Sequence, residues 1–194
     1  MRHMEKLLEA YLYAVFQKKN CIPMMNRQCK RLRRFAFAAL MTMSFTGNAL
    51  ALDAGQRAVD FSLPGTQGPV SLADRAGSVV YVDFWASWCG PCRESFSWMN
   101  SMQQKYRSKG LRVIAINLDA RRADAWKFLA EHPAAFTVAF DGTGKTPDIY
   151  GVKGMPTSFL VGRDGKIVLR HTGFKASDRQ QLEKQIQAAL EGGK

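Results

Sequence analysis

The chain has 194 residues, 46% of them hydrophobic, enough to bury one full core, and a formal net charge of +12. Such a charge suits a nucleic-acid binder only if it lies on the folded body, yet residues 1–51 hold 9 of the 28 basic and 2 of the 16 acidic side chains. The other 143 residues carry only +5, with no block of like charge, which argues against a nucleic-acid partner.

In chain order, the basic cluster Arg27, Lys30, Arg31, Arg33 and Arg34 precedes the 11-residue apolar run Phe35 to Phe45, and the segment closes on Ala49-Leu50-Ala51. That is the three-part layout of a secretory signal, and it predicts cleavage before Leu52. An uncleaved membrane anchor is the alternative, but Thr42, Ser44, Thr46, Gly47 and Asn48 make the stretch a poor span. The amphipathic EKLLEAYLYAVFQ ahead of the cluster fits no ordinary signal, so Met24 or Met25 makes a more usual start. Residues 1–51 are therefore expected to lie outside the packed domain, residues 52–194 to form it, and the mature chain to be exported. Cys21 and Cys29 would leave with the leader, so that only Cys89 and Cys92 remain, in an oxidising compartment.

After Leu52, AVDFSLPGTQGPVSLADRAG alternates around Pro and Gly and predicts a short hairpin. Ser78 to Trp85 and Leu111 to Asp119 are nearly continuous apolar runs and predict buried central strands. Between them a helix is expected from Cys89 to Lys109, with Phe96, Met99 and Met102 on one face and Gly110 as its stop. Ala123 to His132 reads as a second helix that buries Trp126, Leu129 and Ala130 and ends at Pro133, and FTVAFD as a third strand. SFLVGRDGKIVLRH predicts two strands hinged at Arg163-Asp164-Gly165. The last helix is expected to start at the cap Ser177 and to bury Leu182, Ile186, Ala189 and Leu190. The sum is one α/β domain built on a mixed sheet.

Two cysteines three apart can bind metal, staple a fold or exchange electrons. A structural zinc site needs about four ligands, and beside the pair the mature chain has only His132 and His171, neither at ligand spacing. A staple is weak because the closed loop is tiny. Redox chemistry fits better. At the start of a helix, Cys89 meets free N–H groups and the positive end of the dipole, which favours the reactive thiolate. Cys92 lies one turn on, placed to resolve a mixed disulfide, while Pro91 suits the first turn and Gly90 allows close approach of a partner chain.

WASWCGPC after VVYVDF, together with the downstream GMPTSFLV, resembles the two signatures of the thioredoxin superfamily. The expected hairpin, the extra helix around Trp126 and the run YGVKGMPTSFLVGRDGKIV are similar to the TlpA-like and ResA-like thiol-disulfide oxidoreductases. The resemblance covers nearly all of Leu52 to Leu190. It implies a central mixed sheet flanked by helices, with an N-terminal β-hairpin and an inserted helix. It further implies a redox disulfide between Cys89 and Cys92, a cis Pro156 facing Cys89, and a Met155 backbone that pairs with substrate. Asp83 would accept the proton of Cys92; on the residues alone, an Asp facing water stays open. Trp88 either shapes the substrate platform or packs its loop. Two departures stand out: Ser97 replaces a helix-kinking proline, and Ser95 stands where many relatives carry Glu, with Glu94 on another face.

The oxidising compartment favours an oxidant, but Gly-Pro between the cysteines is the thioredoxin pair. Thioredoxin has a potential near about −270 mV, against about −120 mV for a dedicated oxidant. A protein-disulfide reductase of the periplasm is therefore expected, monomeric and without a cofactor or metal. It would be recharged by a membrane thiol donor and act on protein disulfides, apocytochrome c among them. An oxidant or isomerase, or a module passing Cu(I) through its thiolates, are the alternatives.

Overall fold

Val79–Trp85 (β3) and Leu111–Asn117 (β4) are branched and aromatic along nearly their whole length, a composition that is stable in a strand only when both faces are covered. The computed structural model, which describes residues 52–192, pairs them in parallel near the centre of one sheet. The remaining strands are Ser62–Gly65 (β1), Gly68–Ser71 (β2), Thr137–Phe140 (β5), Thr157–Val161 (β6) and Ile167–Thr172 (β7). Their order is β2-β1-β5-β4-β3-β6-β7. The expected leader, its cleavage and the anchor alternative fall outside the described residues. Among those described, no helix is long and apolar enough to cross a membrane.

Alternate residues of β3 feed two cores. Val79, Tyr81 and Trp85 pack with Gly90–Tyr106 (α1), Arg122–Glu131 (α2) and Arg179–Glu191 (α4), through Phe96, Met99, Phe128, Leu182 and Ile186. Val80, Val82 and Phe84 pack with Ile114, Ile116, Phe159 and Tyr150, the last just after the short helix Lys145–Ile149 (α3), and with Phe61 and Val70 of the N-terminal segment. The mixed sheet, its flanking helices and the N-terminal hairpin are thus as expected, and α2 is the inserted helix, crossing between the parallel strands β4 and β5.

The hairpin joins the rest of the sheet narrowly. Gly65 pairs with Ala139 of β5, and Thr66 N–H donates to the Val138 carbonyl at 3.1 Å. A Cβ on Gly65 would stand 2.5 Å from Val70 Cγ2 and 2.7 Å from the Gly68 carbonyl oxygen, so only glycine permits this approach.

Four details differ from the sequence reading. Helix α2 buries Ala125 and Phe128 with Leu129 packed beside them, while Trp126 is 46% exposed and Ala130 lies outside the core, because the covered face is the one on which Phe128 meets Trp85 of β3 and Phe96 of α1. Strand β4 stops at Asn117. Ser177 does not cap the last helix; the Asp178 carboxylate accepts from Lys175 N–H at 2.8 Å across a 3-10 turn, Ala176–Asp178, that precedes α4. Helix α3 was not expected. Its sequence, KTPDI, is too short for periodicity, and its start is organised by Asp141, whose carboxylate accepts from Thr143, Gly144 and Thr146.

Candidate active site

Cys89 is the N-cap of the 17-residue helix α1, with extended backbone, and its sulfur accepts from the Cys92 N–H at 3.3 Å. Pro91 in the first turn has no N–H to satisfy, so the helix start leaves little competition for the sulfur. The two cysteines form a disulfide with Cα atoms 5.3 Å apart. Cys89 is 6% exposed and Cys92 0%, so an incoming thiol or disulfide meets Cys89 first. Around it Gly90 and Pro91 are exposed, and open space surrounds the position of a Gly90 Cβ.

Trp88, 73% exposed, does not pack its loop; it stands in solvent beside Cys89. The loop itself is held from below. Asp119, just past β4, accepts from both the N–H and the hydroxyl of Ser87 at 3.1 Å, and from Asn117 Nδ2 at 2.8 Å. Sequence reasoning missed this clamp, because it placed Asp119 inside the strand.

The Met155–Pro156 bond is cis, as the resemblance implied. Pro156 is buried at the start of β6, whose Thr157 pairs with Phe84, so it lies at the same end of the sheet as the cysteine loop. Met155 packs against the core cluster that contains both cysteines. Among the described residues its backbone N–H and C=O have no partner, whereas the Pro156 carbonyl is taken by Gly173 N–H at 2.7 Å.

Asp83 is 1% exposed, which removes the water-facing alternative. It sits between Tyr81 and Trp85 on the face of β3 that meets α1, the helix bearing Cys92. Its ladder partners are Ala115 of β4 and Ser158 of β6, neither of them a cation. Desolvation by burial therefore pushes its pKa well above the usual carboxylate value. Ser95 is buried, its hydroxyl donating to the Cys92 carbonyl at 2.9 Å, and Glu94 is exposed, so no carboxylate occupies the place of the relatives' Glu. Ser97 is exposed on an unbroken α1. Trp85 and Trp98 are core residues, and His171 is a partly exposed residue of β7.

Comparisons with known proteins agree with this geometry. Residues 53–186 match the family described as Redoxin. The chain is 32% identical over 136 residues to the thiol-disulfide oxidoreductase ResA of Bacillus thuringiensis subsp. konkukian, covering 70% of this chain and 78% of that one. It is 35% identical over 130 residues to ResA of Bacillus anthracis, covering 66% and 74%. A crystal structure from Chlorobium tepidum, assigned as a thiol:disulfide interchange protein DsbE, is 64% identical, with a TM-score of 0.71 over 72% of this chain and 99% of that one. With a disulfide at a helix start, a cis proline at the same end of the sheet and these relatives, the chain belongs to the redoxin family of the thioredoxin superfamily and is a ResA-like thiol-disulfide oxidoreductase.

Proposed function

We propose that this oxidoreductase works in the reducing direction on exported proteins. In the reduced enzyme, the Cys89 thiolate, favoured by the N-terminus of α1, attacks a substrate disulfide; a Cys89–substrate bond forms and one substrate thiolate leaves and takes up a proton. Cys92 then passes its proton to the ionised Asp83 and attacks the Cys89 sulfur, which expels the second substrate thiolate, and Asp83 gives the proton up again as that thiolate is protonated. Two electrons and two protons end on the substrate, and the enzyme is left as the Cys89–Cys92 disulfide. The observation that carries this reading is Cys89 at the head of α1, 6% exposed, above Cys92 and Asp83, which are 0% and 1% exposed.

Trp88 and the backbone of Met155, unpaired among the described residues, support docking of an extended substrate segment across Gly90 and Pro91. The Gly-Pro dipeptide supports a thioredoxin-like potential, and so a membrane thiol donor to recharge the pair. Apocytochrome c is the substrate class suggested by the resemblance, and the protein acts as a monomer. Export rests on the signal layout of residues 27–51, and the family match begins at residue 53, directly after the expected cleavage point. A redox titration of the pair tests the direction: a potential near −270 mV is expected, and one above about −150 mV would make the protein an oxidant.

A further inference from the structure

Directly across the β3–β6 ladder from Asp83 stands Ser158, 4% exposed. The Tyr81 hydroxyl, reaching diagonally on the same face, donates to Ser158 Oγ at 2.7 Å. Ser158 thus accepts one hydrogen bond, and its own hydrogen has no acceptor among the described residues, while Asp83 Oδ2 is buried without a partner. An idle donor and an idle acceptor face each other on opposed residues of an antiparallel pair. Cβ atoms in such a pair are about 4.5–5.5 Å apart, so side-chain rotation alone brings hydroxyl to carboxylate.

We propose that the Tyr81–Ser158 pair is a positioning device for Asp83: it turns a polarised hydroxyl onto the carboxylate and thereby governs proton exchange between Asp83 and Cys92. The inference rests on the role given to Asp83 above and deepens it. In a site this dry, one oriented hydroxyl matters because nothing else on this face neutralises a carboxylate. From β4 the facing residues are Val113, Ala115 and Asn117, with Asp119 beyond, its carboxylate already held by Ser87 and Asn117. From α1 and α4 they are Cys92, Phe96, Met99, Leu182 and Ile186; the Lys105–Glu183 pair, with Tyr106, lies at the far end of α1. Beyond Ser158, its β7 partner His171 is 3.4 Å from Asp178 through Nε2. Two buried nitrogens on this face also lack a hydrogen bond among the described residues: His171 Nε2 lies a further strand away, and Trp85 Nε1 belongs to an indole wedged between Phe96 and Phe128, with centroids 4.8 and 4.9 Å away, whereas a hydroxyl is free to turn.

The test follows the Asp83 carboxyl carbon by NMR through a pH titration of the reduced protein, alongside stopped-flow release of thionitrobenzoate from a Cys89 mixed disulfide. Ser158→Ala should raise the carboxyl titration by about one pH unit and slow release about tenfold at neutral pH. Tyr81→Phe should shift both in the same direction by less. Ser158→Thr, which keeps the hydroxyl, should restore both. Unchanged titration in Ser158→Ala, or a Ser158→Thr that behaves like Ser158→Ala, overturns the inference. Asp83→Asn separates the two readings: normal release in that variant removes the role of Asp83, whereas slow release there with an unshifted carboxyl in Ser158→Ala removes only the role of Ser158.

Discussion

Cys89 and Cys92 differ in access more than in chemistry, and that difference predicts what each substitution does. Cys89→Ser should abolish disulfide reduction, whereas Cys92→Ala should still make the first attack and accumulate a mixed disulfide, visible on a non-reducing gel. Asp83 leaves a second trace, in stability. Because burial raises its pKa, the native state keeps a proton that the unfolded chain loses above its ordinary carboxylate value of 3.8. Native stability therefore falls as pH climbs past that value, and levels off once the folded carboxyl ionises as well. In the oxidised protein, Asp83→Asn should match the parent at about pH 3 and exceed it at pH 8 by about 1–3 kcal/mol in urea unfolding. Equal midpoints at pH 8 would mean that the carboxylate is solvated after all. The clamp on Ser87 is a third case. Asp119→Ala leaves a part-buried N–H without its charged acceptor, at a cost of about 1.5–3 kcal/mol, and should slow attack by Cys89 as the loop loosens. At this scale the cysteines and Asp83 were legible because each breaks a local rule, a pair at one-turn spacing and a carboxylate in an apolar strand, whereas the cis Pro156 was legible only through the resemblance. Ser158 broke the same rule more quietly, as a hydroxyl within TSFLV, and Asp119 broke none.

Strands β3, β4 and β6 were legible because continuous apolar runs have few alternatives, and α1 because its spacing, Pro91 and Gly110 agree. Helix α2 was legible as an element but not in its rotation. Trp126, Leu129 and Ala130 describe a plausible stripe, and choosing between it and the true one needs the positions of Trp85 on β3 and Phe96 on α1. The consequence can be measured. Phe128, 5% exposed and stacked edge-on with Phe96 at 5.1 Å, should cost about 3–5 kcal/mol when changed to Ala. Trp126→Ala, which strips an exposed ring from Phe140, should cost less than about 1.5 kcal/mol despite its larger side chain. The reverse order would restore the stripe drawn from sequence alone.

For the whole molecule, the net charge misleads until it is divided. Of the +12, +7 belongs to residues 1–51, and the other 143 residues carry only +5. Sequencing the N-terminus of the exported protein should read Leu52 first; a start at Met1 would contradict export by this signal. The sheet has its own division. Its centre, β3 with β4, is sealed on both faces, but among the described residues the β1–β2 hairpin is hydrogen-bonded to β5 only at Gly65 and Thr66, with Val70 packed on the core beneath. A ribbon hinged on so few bonds need not wait for global unfolding before it parts from the sheet. Its amides should exchange with deuterium through a local opening, well before those of β3 and β4, while the redox end of the molecule stays intact.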